Sequence, residues 1–265
     1  MMNFFNQISS VGGLTNVDLW LVAGQSNTDG RVPIAEPPTW LGVDNKVPNT
    51  KMFNDITNTF DDWMYGVNGG GDNNVDLRWA YDSTAIKSYA NLKSKRQYVV
   101  KNTRGGTSIG LNPIVGSGCW NVDFNSITNR KLLQELEDKY KTAVLVLNNL
   151  GYNPIVKGLL WHQGESDSST VENQNSYYQN FKDVIYYVRN TIVGNTELPI
   201  VFGSISHASA QYSSVVETAQ FQIASEDDNA YIVDMQNGTL LDPYHFDDIS
   251  SEFLGEGMYD IIKNF

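Results

Sequence analysis

Three short strings, far apart in the chain, hold the residue types that could do chemistry. Gly24-Gln25-Ser26-Asn27 offers a hydroxyl, Trp161-His162-Gln163-Gly164-Glu165 an amide side chain, and Asp242-Pro243-Tyr244-His245 an imidazole three residues after a carboxylate. Acyl transfer through a serine needs these parts: a nucleophile, a base to take its proton, an acid to orient the base, and donors for the developing oxyanion. On this reading Ser26 attacks, His245 takes its proton and Asp242 holds the imidazole. Three-residue spacing in a turn lets a carboxylate accept from Nδ1 while Nε2 faces elsewhere. The backbone N–H groups of Ser26 and Gly106 and the side-chain amide of Gln163 are the expected oxyanion donors. Each string also has a plain structural alternative. A serine after a strand can cap a helix, a buried glutamine can satisfy a loop backbone, and Gly105-Gly106 can serve a turn with positive φ.

The elements that must position these residues follow from apolar periodicity. Val17–Ala23, Gln97–Lys101, Val156–Trp161, Pro199–Gly203 and Ala230–Asp234 read as buried strands. Helical spacing runs from Leu132 to Leu150, with Leu133, Leu136, Tyr140, Val144 and Leu147 on one face. Ser169-x-x-Glu172 reads as a capping box before a helix striped by Tyr178, Phe181, Ile185, Val188 and Ile192. Further helices are expected over 213–224 and 249–262. About five strands separated by helical crossovers predict an α/β fold with a central parallel sheet covered on both faces, the site lying at the carboxyl ends of the strands. Ser26, Gly105-Gly106 and Gln163 each follow a predicted strand directly, and Asp242 and His245 follow the last.

The chain of 265 residues, 41% hydrophobic and 18% charged, suits a single domain over 1–265. One stretch breaks the alternation: 33–76 is rich in Asn, Asp, Gly and aromatics, including Trp40, Trp63, Tyr65 and Gly69-Gly70-Gly71, and reads as a long irregular insertion. It is either a rim whose aromatics stack on sugar faces or a self-packed loop. A formal charge of −12 argues against nucleic acid as a partner. No window approaches the apolar run of a membrane span. One cysteine, Cys119, leaves no disulfide framework and no multi-cysteine zinc site, and its surroundings carry no thiol-protease signature.

Taken together, the blocks resemble the SGNH (GDSL-like) hydrolase superfamily, in its sialate O-acetylesterase-like and acetylxylan-esterase-like branch. The matching residues are Gly24-Gln25-Ser26-Asn27, Gly105-Gly106-Thr107-Ser108-Ile109, Trp161-His162-Gln163-Gly164-Glu165-Ser166-Asp167 and Asp242-Pro243-Tyr244-His245-Phe246, in order from about Val17 to Met258. The resemblance implies a flavodoxin-like three-layer α/β/α sandwich and hydrolysis of O-acetyl esters on carbohydrate. It implies Ser26, His245 and Asp242 as the triad, Ser26, Gly106 and Gln163 as the oxyanion hole, and neither metal nor organic cofactor. Gln25, Asn27, Arg31, Arg104 and Glu165 are the candidates for substrate binding; Arg31 and Arg104 would suit a sialic or uronic acid carboxylate. The chain departs from many relatives in carrying Asn112-Pro113 where a tryptophan follows the Gly-Gly-Thr block; Trp120 comes later.

Two other classes compete: a non-catalytic carbohydrate-binding or receptor-recognition domain, as in a phage tail protein, and a lipolytic or thioester-cleaving enzyme of the same superfamily. The opening residues Met1–Gln7 lack the basic start and apolar core of an export leader. A domain of a longer extracellular or virion protein would read the same way, so location and oligomeric state stay open.

Overall fold

The computed structural model describes residues 13–68, 77–113 and 116–265; Met1–Gln7 and the Gly69–Gly71 run lie outside them. In chain order the elements are β1 (Thr15–Gly24), α1 (Ser26–Asp29), β2 (Val32–Pro33), β3 (Lys46–Asn54), β4 (Thr59–Met64), β5 (Arg78–Trp79), α2 (Tyr81–Lys93), β6 (Gln97–Thr103), α3 (Leu132–Asn149), β7 (Tyr152–His162), α4 (Val171–Tyr187), β8 (Ile200–Gly203), α5 (Ser214–Glu226), β9 (Ala230–Val233) and α6 (Asp248–Ile262). A 3₁₀ turn, Glu165–Ser169, follows β7, and a π turn, Val188–Val193, continues α4.

Seven strands form one sheet in the order β4-β3-β6-β1-β7-β8-β9. Every pairing is parallel except β3 with β4. Parallel neighbours need crossovers, and the helices that supply them cover both faces, giving the three-layer α/β/α sandwich. Alternation along β1 divides the core: Leu19, Leu21 and Ala23 join the residues of α3, α4 and α5, while Trp20 and Val22 join those of α2 and α6.

The five expected strands are β1, β6, β7, β8 and β9; the other two come from the 33–76 stretch. That stretch is therefore not irregular throughout, because its hairpin extends the sheet, with β3 parallel to β6. Its aromatics do not form a rim: Trp63 and Tyr65 are buried in the core on the α2 side, and the Trp40 indole donates to Thr84 Oγ1 at 3.0 Å. For these three residues the self-packing alternative holds. The cap of α4 is also one residue later than expected, since Thr170 Oγ1 accepts from Asn173 N.

Under the hairpin lies a buried ion pair. Lys101 Nζ on β6 sits 2.8 Å from Asp82 Oδ2 at the start of α2, with side chains 2% and 0% exposed. Neither group makes a conventional hydrogen bond among the described residues. Burial pushes the Asp82 carboxyl upward, and Lys101 opposes the shift. Removing one partner strands the other charge, so Lys101→Met is expected to cost about 3–5 kcal/mol in denaturant unfolding. Adding Asp82→Asn to it should recover part of that loss.

Candidate active site

The site assembles where β1, β6 and β7 end. Gly24 closes β1 with φ +145°, and a Cβ there would meet His162 O at 2.2 Å, so only glycine lets the two strand ends approach. Gln25 N then donates to His162 O at 3.0 Å, and Arg104 N to Gly24 O at 3.2 Å. These bonds bring the Ser26 turn, the Gly105-Gly106 turn and the residues after β7 together.

A hollow of about 480 Å³ opens over them, lined by Gln25, Ser26, Asp29, Arg31, Arg104, Gly105, Gly106, Gly116, Ser117, Gln211, Tyr244 and His245. Ser26 and His245, 219 residues apart in sequence, thus line the same hollow. Their chain neighbours are bonded directly: Phe246 N donates to Asn27 Oδ1 at 3.0 Å. His245 Nδ1 lies 2.7 Å from Asp242 Oδ2, and Asp242 Oδ1 accepts from the N–H of Tyr244 and of His245. Partial burial pushes the Asp242 carboxyl up, but these hydrogen bonds outweigh it and hold the group below its ordinary value. An ionised carboxylate only accepts, so Nδ1 carries the proton and Nε2 of the neutral ring keeps its lone pair. Among the described residues no backbone hydrogen bond uses the N–H of Ser26 or of Gly106, whose φ of +72° needs glycine.

Several candidates lie elsewhere than the sequence suggested. Asn27 and Glu165 are buried and turned toward each other, away from the hollow: Asn27 Nδ2 donates to Glu165 Oε1 at 2.8 Å, and His162 Nε2 lies 2.8 Å from the same oxygen. Burial opposes ionisation of Glu165, yet His162 and Asn27 hold its carboxyl below the ordinary range. Neither residue is among those that line the hollow. Gln163 is fully buried behind the wall, its amide nitrogen facing Thr107 O, Asp167 Oδ2 and Gln25 Oε1. The expected side-chain oxyanion donor is therefore not aimed at the hollow, because its hydrogens are committed to the protein. Gln25 Oε1 likewise turns inward to Gln163 Nε2 and the N–H groups of Gly164 and Ser166. Arg31 and Arg104 both line the hollow, and Arg31 Nη1 is paired with Asp29 Oδ2 at 2.6 Å. Cys119 is buried, which pushes its thiol up to about 11 and keeps it protonated.

Sequence reasoning missed Asp29, Gly116, Ser117, Gln211 and Tyr244 as lining residues, and Asp167 as a polar centre. Of these, Tyr244 and Asp167 sit inside recognised blocks and Asp29 lies two residues past one, where proximity to His245, Gln163 and Ser26 is a usable signal. Asp167 is pushed up to about 6 by burial, against the hydrogen bonds from Gln163, Ile109 and Gly110. A carboxyl raised in the folded state favours folding when protonated. Its contribution is full below the unfolded value near 3.8 and is lost as pH rises through about 6. The ionised group accordingly costs about 3 kcal/mol at neutral pH. The difference in unfolding free energy between wild type and Asp167→Asn, followed in urea from pH 4 to 7, should change in that window.

The mostly parallel sheet between two helical layers, with Ser26 and His245 lining one hollow at its strand ends, is an α/β/α architecture of the SGNH kind. The chain belongs to the family described as carbohydrate esterase, sialic acid-specific acetylesterase, whose profile matches residues 16–263. Among solved structures it is similar to a protein from Arabidopsis thaliana (16% identity, 93% of this chain and 98% of that one, TM-score 0.72). It is also similar to NanS (15%, 96% and 98%, TM-score 0.67). A further likeness is to a carbohydrate acetylesterase from Xanthomonas citri (15%, 92% and 54%, TM-score 0.57). At these identities the likenesses speak for the fold. No curated protein sequence matches significantly.

Proposed function

We propose that this protein is a carbohydrate O-acetylesterase that works through Ser26, His245 and Asp242. The reading is carried by one observation: Ser26 shares a hollow with a histidine whose Nδ1 is engaged by an aspartate. As Ser26 Oγ bonds to the acetyl carbonyl carbon, His245 Nε2 takes the hydroxyl proton. The N–H groups of Ser26 and Gly106 receive the oxyanion. Collapse breaks the ester bond, and the leaving sugar oxygen takes the proton from His245. A water molecule, deprotonated by the same nitrogen, then attacks the acetyl-enzyme, releasing acetate and regenerating Ser26.

Family membership supports an acetylated carbohydrate as the substrate class. The described lining is rich in glycine and polar side chains, which suits a sugar ester. Two arginines on the rim suit an acidic sugar, sialic or uronic. The test is acetate release from acetylated sialic acid, acetylated xylan and acetylated bacterial polysaccharide, beside p-nitrophenyl esters of increasing chain length. Acetate should be released from at least one glycan, and turnover should fall steeply beyond short acyl groups. Preference for long chains would instead favour the lipolytic reading, and binding without any release would favour the recognition domain.

A further inference from the structure

The turn that carries Gly106 is gripped from outside the hollow. Thr107 Oγ1 donates to Arg104 O at 2.8 Å, closing the turn across Gly105 and Gly106. The Trp120 indole N–H donates to that same hydroxyl oxygen at 3.0 Å, so one bond fixes the direction of the next. The tryptophan that arrives late in the sequence thus returns to the Gly-Gly-Thr block in space. Gln163 Nε2 donates to Thr107 O at 3.0 Å and to Asp167 Oδ2 at 2.5 Å. Asp167 in turn accepts the N–H of Ile109 at 3.0 Å and of Gly110 at 2.7 Å, one on each oxygen. Gln163 is itself held, its backbone carbonyl accepting from the Tyr177 hydroxyl and the Gln220 amide, each at 3.0 Å.

An amide nitrogen has two hydrogens, and that of Gln163 faces three protein acceptors, so none is left for a substrate oxygen. We propose that Gln163 and Asp167 are positioning residues of the oxyanion hole: through the backbone of 107–110 they aim the Gly106 N–H, and the donors that touch the substrate oxygen are backbone groups. The inference rests on the esterase reading of Ser26. Its physical basis is that an oxyanion donor acts only when already placed, and a shift of about 1 Å is enough to forfeit most of its effect. Asp167 therefore works without touching the hollow, as a carboxylate that fastens two loop amides and the glutamine together.

The test uses p-nitrophenyl acetate, so that it does not depend on the natural sugar, and compares Gln163→Met, Asp167→Asn, their double variant and Thr107→Val. Each single variant is expected to lower kcat by about 10²-fold with KM within about threefold, the loss belonging to the transition state. Because the two residues act as one unit, the double variant should be no slower than about twofold below the worse single. Thr107→Ser, which keeps the hydroxyl, should restore most of the activity lost in Thr107→Val. Losses that multiply in the double variant would overturn the proposal, pointing to independent action with Gln163 donating directly to substrate. A folded Asp167→Asn protein with unchanged kcat would also overturn it. If the Asp167 variants do not fold, the Thr107 pair decides: Thr107→Val at wild-type kcat contradicts the grip on the turn. An active Ser26→Ala protein would instead refute the esterase reading itself, a separate result from any of these.

Discussion

Ser26→Ala is expected to lower acetyl-ester turnover by about 10⁴-fold or more while leaving the fold and glycan binding intact. The size follows from chemistry: without the hydroxyl there is no acyl-enzyme, and only the oxyanion donors and binding remain to act on a bound water. The harmlessness to the fold follows from structure. Ser26 is 7% exposed, but among the described residues its hydroxyl makes no hydrogen bond that the structure would lose. The turn is held instead by Gly24, by Gln25 N on His162 O and by Asn27 on Glu165. Acetate release and a melting curve check both halves, and a variant that keeps about a hundredth of wild-type turnover would mean another nucleophile is at work.

Asp242→Asn should cost about 10³–10⁴-fold in kcat/KM, although it changes few atoms. Asp242 Oδ1 holds the N–H groups of Tyr244 and His245, and an asparagine carbonyl placed there would keep both bonds. Its Nδ2 would then face His245 Nδ1 from the position of the lost carboxylate oxygen. Two donors cannot meet, so the ring would hold its proton on Nε2 and present no lone pair to Ser26. Geometry is preserved and the base is lost. Kinetics with p-nitrophenyl acetate report this directly, and a variant within about tenfold of wild type would show that Asp242 only shapes the loop.

What the sequence made legible was whatever repeats with a period or stands in a short block. The five central strands show as apolar runs, and α3 and α4 as stripes, because burial on a helix or in a parallel sheet imposes those patterns. The blocks holding Ser26, Asp242 and His245 stood out because acyl transfer needs fixed residue types, and the fold brings Ser26 and His245 to one hollow. The helix α2 was not legible. It buries Asp82, Ser83 and Thr84 among Tyr81, Ala85, Ile86 and Tyr89, which blurs the stripe, and it ends on Ser94 at φ 49° rather than on glycine, so no stop signal marks it. The β3–β4 hairpin was hidden by an edge strand of mixed polarity, Thr-Phe-Asp-Asp-Trp-Met, whose inner residues are packed only once the sheet exists. The direction of the Gln163 amide was not legible for a related reason. A glutamine after a strand has the right chemistry for an oxyanion donor, but its direction depends on Thr107 and Asp167, 56 residues before it and four after. Asn27 was likewise recognised as part of a block, while its bond to Phe246 N, spanning 219 residues, belongs to the fold alone.

Mass spectrometry of the protein after exposure to a fluorophosphonate probes the central claim, that folding delivers an activated serine near the amino end of the chain to a base near the carboxyl end. The adduct should sit on Ser26 alone, in step with loss of activity, and should be absent from protein carrying His245→Ala. Inactivation with the adduct on any other residue, or labelling of Ser26 at the wild-type rate without His245, would contradict the account.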